Sequence, residues 1–96
     1  MSASSDPVTT DAEVAEITVV LPAALHARPA GQLAQVAAGL RPAVRLEYAG
    51  RTVNPTGILS VMGLGATAGS TVTVRAEGPG AEHAAQVLAR LLNEID

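Results

Sequence analysis

The chain has 96 residues, 48% of them hydrophobic, with Tyr48 as its one aromatic residue, no cysteine and a formal net charge of −3. That length supports a single small domain with an aliphatic core, and the cysteine count excludes disulfides, thiol nucleophiles and zinc–thiolate centres. The six basic residues are all arginines and lie scattered along the chain, so there is no basic stripe and no aromatic platform for nucleic acid, and no cluster for an anionic membrane.

The first stretch, "MSASSDPVTTDAE", is polar and without apolar period, and it reads as a flexible tail over residues 1–13 ahead of one domain over residues 14–96. From Val14 to Leu21 the β-branched run of Ile17, Thr18, Val19 and Val20 predicts a strand, which Pro22 ends. The N-terminus lacks a basic-then-apolar leader, and the apolar runs are broken well short of a membrane span; a soluble, cytoplasmic chain is the expectation.

In "PAALHARPAGQLAQVAAGL", Leu33, Val36, Ala37 and Leu40 recur at three- and four-residue steps, and Gly39 supplies a stop, so a helix follows. "AVRLEYAGRTVN" alternates Val44, Leu46 and Tyr48 against Arg45 and Glu47, turns at Ala49-Gly50 and resumes at Arg51, predicting a hairpin. "GILSVMGLGA" is too densely apolar to alternate and has glycines at both ends, which predicts a brief helix of about two turns. "STVTVRAE" alternates as a fourth strand, and Gly78-Pro79-Gly80 breaks it. "AEHAAQVLARLLNEI" sets Ala84, Leu88, Leu91, Leu92 and Ile95 on one helical face against Glu82, His83, Gln86, Arg90 and Asn93. The string βαββαβα predicts an α+β domain, an antiparallel sheet covered on one face by three helices.

The chemistry gathers at "LHARPA". Pro29 fits a helix only in its first turn, with the first helical position preferred, so His26 falls at the cap or one step before it. A helix start offers unpartnered main-chain N–H groups and the positive end of the macrodipole. At Ala27 and Arg28 these donors form a candidate phosphate cradle, and the Arg28 guanidinium can grip phosphate oxygens with two hydrogen bonds. His26 is then a candidate nucleophile whose phosphorylated form is held by its surroundings.

These residues resemble the histidine-containing phosphocarrier protein HPr of the bacterial phosphoenolpyruvate-dependent sugar phosphotransferase system. "LHARPA" is similar to that family's active-site signature, "VRLEYAGRTVN" to its hairpin and "SVMGLGA" to the end of its second helix, in matching order from about Val14 to Ile95. The resemblance implies an open-faced β-sandwich with sheet order 1-4-2-3. It implies that His26 is phosphorylated on Nδ1 by phosphorylated enzyme I and passes the group to a histidine of a IIA domain, with Arg28 steadying the phosphoryl group. The family's docking surface includes the second helix, so the resemblance makes Ile58, Leu59 and Met62 expected partner contacts. Val61 and Leu64 are the better core candidates, and Gly31, a small residue in the first helix, lets a partner approach closely. One departure stands out: where many HPr proteins of low-GC Gram-positive bacteria carry a regulatory serine, this chain has Gly57, which argues against serine regulation of that kind.

The expected chain is thus a monomeric, stoichiometric carrier, not a turnover enzyme, with transient partners and no cofactor or metal of its own. His83 sits on a polar helix face without a second ligand at metal spacing and reads as solvated. Gly63, Gly65 and Gly69 have the wrong spacing and setting for a dinucleotide loop. The alternatives are a carrier of the same kind serving a dihydroxyacetone kinase or nitrogen-related branch, and a non-catalytic module that merely binds an anion at His26.

Overall fold

The computed structural model describes residues 13–96. The expected tail lies outside the described residues except for Glu13, which is tied to the domain: its carbonyl accepts from the Gly78 N–H at 2.9 Å and its carboxylate from the Gly80 N–H at 3.1 Å.

Four strands and three helices alternate as β1 (Val14–Val20), α1 (Ala27–Ala38), β2 (Ala43–Tyr48), β3 (Arg51–Val53), α2 (Ile58–Met62), β4 (Thr71–Glu77) and α3 (Ala81–Asn93). The strands form one antiparallel sheet in the order β1-β4-β2-β3. β4 is flanked on one side by β1, with Ile17 opposite Val74, and on the other by β2, with Leu46 opposite Val74. The β2–β3 connection is the expected two-residue turn, with positive φ at both Ala49 and Gly50, the backbone that lets a short hairpin follow the twist of its strands.

Period-two alternation decides the two faces of the sheet. Val19, Val44, Leu46, Val72, Val74 and Ala76 are buried on the helix-covered face. The exposed positions of the strands include Val14 and Val20 alongside polar residues, among which Arg75 pairs with Glu77 and Glu16, whose carboxylates hold its guanidinium above its ordinary pKa. The core is closed by Ala30, Leu33 and Ala37 of α1, Val61 of α2 and Ala84, Leu88 and Leu92 of α3. The many alanines let the helices lie close to the sheet, and among the described residues no polar or charged residue is buried, so no desolvated polar group has to be compensated.

Two boundaries differ from the expectation. α1 begins at Ala27, which puts Pro29 at the third helical position instead of the first; this is still within the turn whose N–H groups lack helical acceptors, so its missing donor costs nothing. α2 is shorter than two turns, with five residues between Gly57 and Gly63. Beyond Met62 the chain tightens into three-residue steps, with Leu64 N–H donating to Val61 O at 3.1 Å and Gly65 N–H to Met62 O at 3.2 Å. The apolar density of "GILSVMGLGA" therefore spans one α-turn and a tighter coil that buries Leu64 at its end.

Candidate functional site

The segment from β1 into α1 alternates anchors with an exposed window. Leu25 is buried, and its N–H donates to Ala66 O at 3.2 Å; Pro29 and Ala30 are buried on the far side. Between them His26, Ala27 and Arg28 are exposed. His26 is the N-cap of α1, with extended backbone (φ −78°, ψ −174°), and its carbonyl accepts the first helical hydrogen bond from Ala30 N–H at 2.9 Å.

Its side chain makes no capping hydrogen bond. Ser, Thr, Asp and Asn are preferred at this position because their oxygens accept from the second or third N–H of the helix; here the imidazole is not spent on that task. Pro29 contributes no N–H, so the first-turn donors left without helical acceptors are those of Ala27 and Arg28. The first turn holds no acidic side chain that would compete for them. An anion held at His26 would lie beside two main-chain N–H groups and the positive end of a twelve-residue helix, with Arg28 exposed two residues along the chain.

The second group of candidates lies on α2, which packs against α1. Leu59 is 82% exposed, Ile58 41% and Met62 38%, whereas Val61 is fully buried. Gly31 lies on α1 with open space where a Cβ would stand. Gly57 is the N-cap of α2, and a Cβ there would come within 3.3 Å of Ser60 Oγ and 3.5 Å of Asn54 O. His83 is exposed on α3, and among the described residues no three His, Asp or Glu side chains gather as a metal site would require.

One feature of the site is visible only when sequence and fold are combined. All carboxylates of the described residues lie at Glu13, Glu16, Glu47, Glu77, Glu82, Glu94 and Asp96, so none lies in α1, α2 or the loops that join them to the sheet. Arg28 opens α1, and Arg51 reaches the end of α2, where its guanidinium donates to Gly63 O at 3.1 Å. In a chain with an overall negative charge, the two helices that carry the candidate residues are thus themselves free of carboxylates. The signal was present as two long stretches without Asp or Glu, residues 21–46 and 48–76, but it acquires meaning only once the fold gathers them.

The family model for the PTS HPr component phosphorylation site matches residues 14–94. The chain belongs to the HPr phosphocarrier family. It is 34% identical over 84 residues to the phosphocarrier protein HPr of Chlamydia muridarum, covering 86% of this chain and 81% of that one. Among solved structures it is similar to HPr of Bacillus anthracis, with a TM-score of 0.76 and 33% identity over 82% of this chain and 96% of the other. It is also similar to Crh, the catabolite repression HPr of Bacillus subtilis, with a TM-score of 0.70 and 32% identity over 88% of this chain and all of the other. The four-stranded antiparallel sheet in the order 1-4-2-3 with three helices is the architecture of these HPr-fold neighbours. Membership makes the chain a phosphocarrier by family. No helix among the described residues is long and apolar enough to cross a membrane.

Proposed function

We propose that this chain carries a phosphoryl group on His26 in the cytoplasm, taking it from phosphorylated enzyme I and delivering it to a IIA domain of the phosphotransferase system. The observation that carries the reading is the uncommitted imidazole of His26, exposed at the N-cap of α1 between buried Leu25 and buried Pro29. In the transfer, the lone pair of the ring nitrogen attacks phosphorus. The new N–P bond forms as the bond from phosphorus to the donor breaks, and the reverse sequence discharges the group onto the acceptor. Such a step asks the protein for positioning and charge stabilisation more than for acid–base groups. The N–H groups of Ala27 and Arg28 and the Arg28 guanidinium supply that stabilisation.

Docking is assigned to the surface around the site. Ile58, Leu59 and Met62 form an apolar patch on the helix packed against α1, Gly31 lets the partner backbone come close, and the absence of carboxylates from both helices suits partners with an acidic rim. The carrier works as a monomer with transient partners, and its own histidine is consumed and regenerated in each cycle, so it has no turnover of its own. Incubation with phosphoenolpyruvate and catalytic enzyme I should load one phosphoryl group, and addition of a IIA domain should discharge it; His26→Ala should load none while keeping its fold. Loading of the His26→Ala protein to the wild-type level would overturn the assignment.

A further inference from the structure

Three main-chain hydrogen bonds anchor the segment that leads from β1 to His26, and all of them run to residues 66–70. Leu21 N–H donates to Ser70 O at 2.8 Å, Gly69 N–H donates to Leu21 O at 2.8 Å, and Leu25 N–H donates to Ala66 O at 3.2 Å. The main chain that leads to the nucleophile is therefore held to a neighbouring loop, while α1 holds it from the other side through the Ala30 N–H bond to His26 O. The chain that enters and closes that loop has a permissive backbone, with Gly65 just before it and Gly69 within it at φ +73° and +89°. Its closing turn, Thr67 to Ser70, has Ser70 N–H donating to Thr67 O at 3.0 Å and Gly69 at the position where a type II turn requires positive φ.

Side chains complete the turn. Thr67 N–H donates to Ser70 Oγ at 3.0 Å, and Ser70 Oγ in turn donates to the Tyr48 hydroxyl at 3.3 Å. Tyr48 ends β2, and its ring packs half-buried against the core. A connected path of hydrogen bonds and short chain steps thus runs from Tyr48 through Ser70, Thr67 and Ala66 to Leu25, the residue before His26. Its origin lies at the end of β2 in the sheet, and its end lies at the exposed window.

We infer that the Tyr48–Ser70 hydroxyl pair is a latch that positions His26, with both members acting as positioning residues through the 66–70 loop; the inference rests on the carrier reading above. Phosphoryl transfer requires the attacking nitrogen to sit in line with the breaking bond, so a small displacement of the nucleophile lowers the rate without altering how the partner binds. Tyr48→Phe tests this cleanly, because it removes the hydroxyl and keeps the only aromatic ring. Ser70→Ala removes the hub of the network.

The readouts are the NMR resonances of the His26 imidazole and the Leu25 amide in the unphosphorylated protein, the first-order transfer rate at saturating enzyme I, the KM for enzyme I, and the thermal midpoint. Tyr48→Phe should shift both resonances and lower the transfer rate by about threefold, with KM and midpoint unchanged. Ser70→Ala should lower the rate further, and the double variant should match Ser70→Ala alone, as expected for residues acting through one path. Wild-type resonances and rate in Tyr48→Phe would overturn the latch, as would a double variant whose loss is the product of the two single losses. The resonances require no phosphorylation, so a wild-type chain that enzyme I fails to load would sink the carrier reading and leave the latch to be judged by the resonances.

Discussion

Helix α3 turns Ala84, Leu88 and Leu92 onto the sheet and leaves Glu82, His83, Gln86 and Arg90 in solvent, whereas α2 exposes Ile58, Leu59 and Met62 and buries one residue of its five, Val61. In α3, thirteen residues give the 3.6 period room to separate the faces, and position on the wheel decides burial. In α2, glycines at both ends limit the helix to little more than one turn, which can direct only one side of itself inward. Of these three, Leu59 is exposed over most of its surface, whereas Ile58 and Met62 keep more than half of theirs covered. All three sit on the helix that packs against the one opened by His26, where the proposed carrier reading puts a docking partner.

The comparison breaks most visibly if stability follows the wrong helix. Leu92→Ala, which empties a fully buried position of α3, should cost about 2–5 kcal/mol in chemical denaturation while leaving transfer unchanged at temperatures where the fold persists. Arg28→Ala should give the opposite profile: an unchanged denaturation midpoint and transfer slowed about tenfold or more in quenched-flow measurements, because the proposed carrier reading has its guanidinium stabilise the transferring group. Leu59→Ala should change stability by no more than about 0.5 kcal/mol and raise the KM for enzyme I several-fold. A stability loss as large as that of Leu92→Ala would return Leu59 to the core and remove it from the docking surface.

Gly31→Ala sharpens the same contrast at smaller amplitude. The added methyl meets nothing within 4 Å, so the helix should gain about 0.5–1 kcal/mol, while docking weakens if the partner backbone approaches there. Smallest of all, if the proposed carrier docks through its carboxylate-free helices, raising the ionic strength should slow association with enzyme I more than it slows transfer within the complex.

The element string and its apolar faces were legible because Val44, Leu46, Val72 and Val74 alternate and Ala84, Leu88 and Leu92 recur at helical steps; both patterns are direct projections of burial onto sequence. Pro29 located the start of α1 to within two residues but no better, since a proline is tolerated throughout the first turn. The extent of α2 was overread because apolar density does not distinguish an α-turn from the tighter coil that follows it, where Leu64 is buried without being helical. His26 could be read as cap or nucleophile, and the structure adds that its ring makes no capping bond. Glu13 looked like tail because nothing local ties it down; its partners, Gly78 and Gly80, lie more than sixty residues away along the chain. The Tyr48–Ser70 contact was hidden for the same reason, as a pairing between residues that only the sheet brings together.

The most direct test of the account is to locate the group on the loaded chain. After incubation with phosphoenolpyruvate and enzyme I, long-range nitrogen–proton NMR of the imidazoles should show phosphorylation at Nδ1 of His26 with His83 unchanged, and the adduct should survive base and be lost in acid. A base-labile adduct on a hydroxyl side chain, or a loaded chain whose His26 resonances are those of the free imidazole, would contradict it.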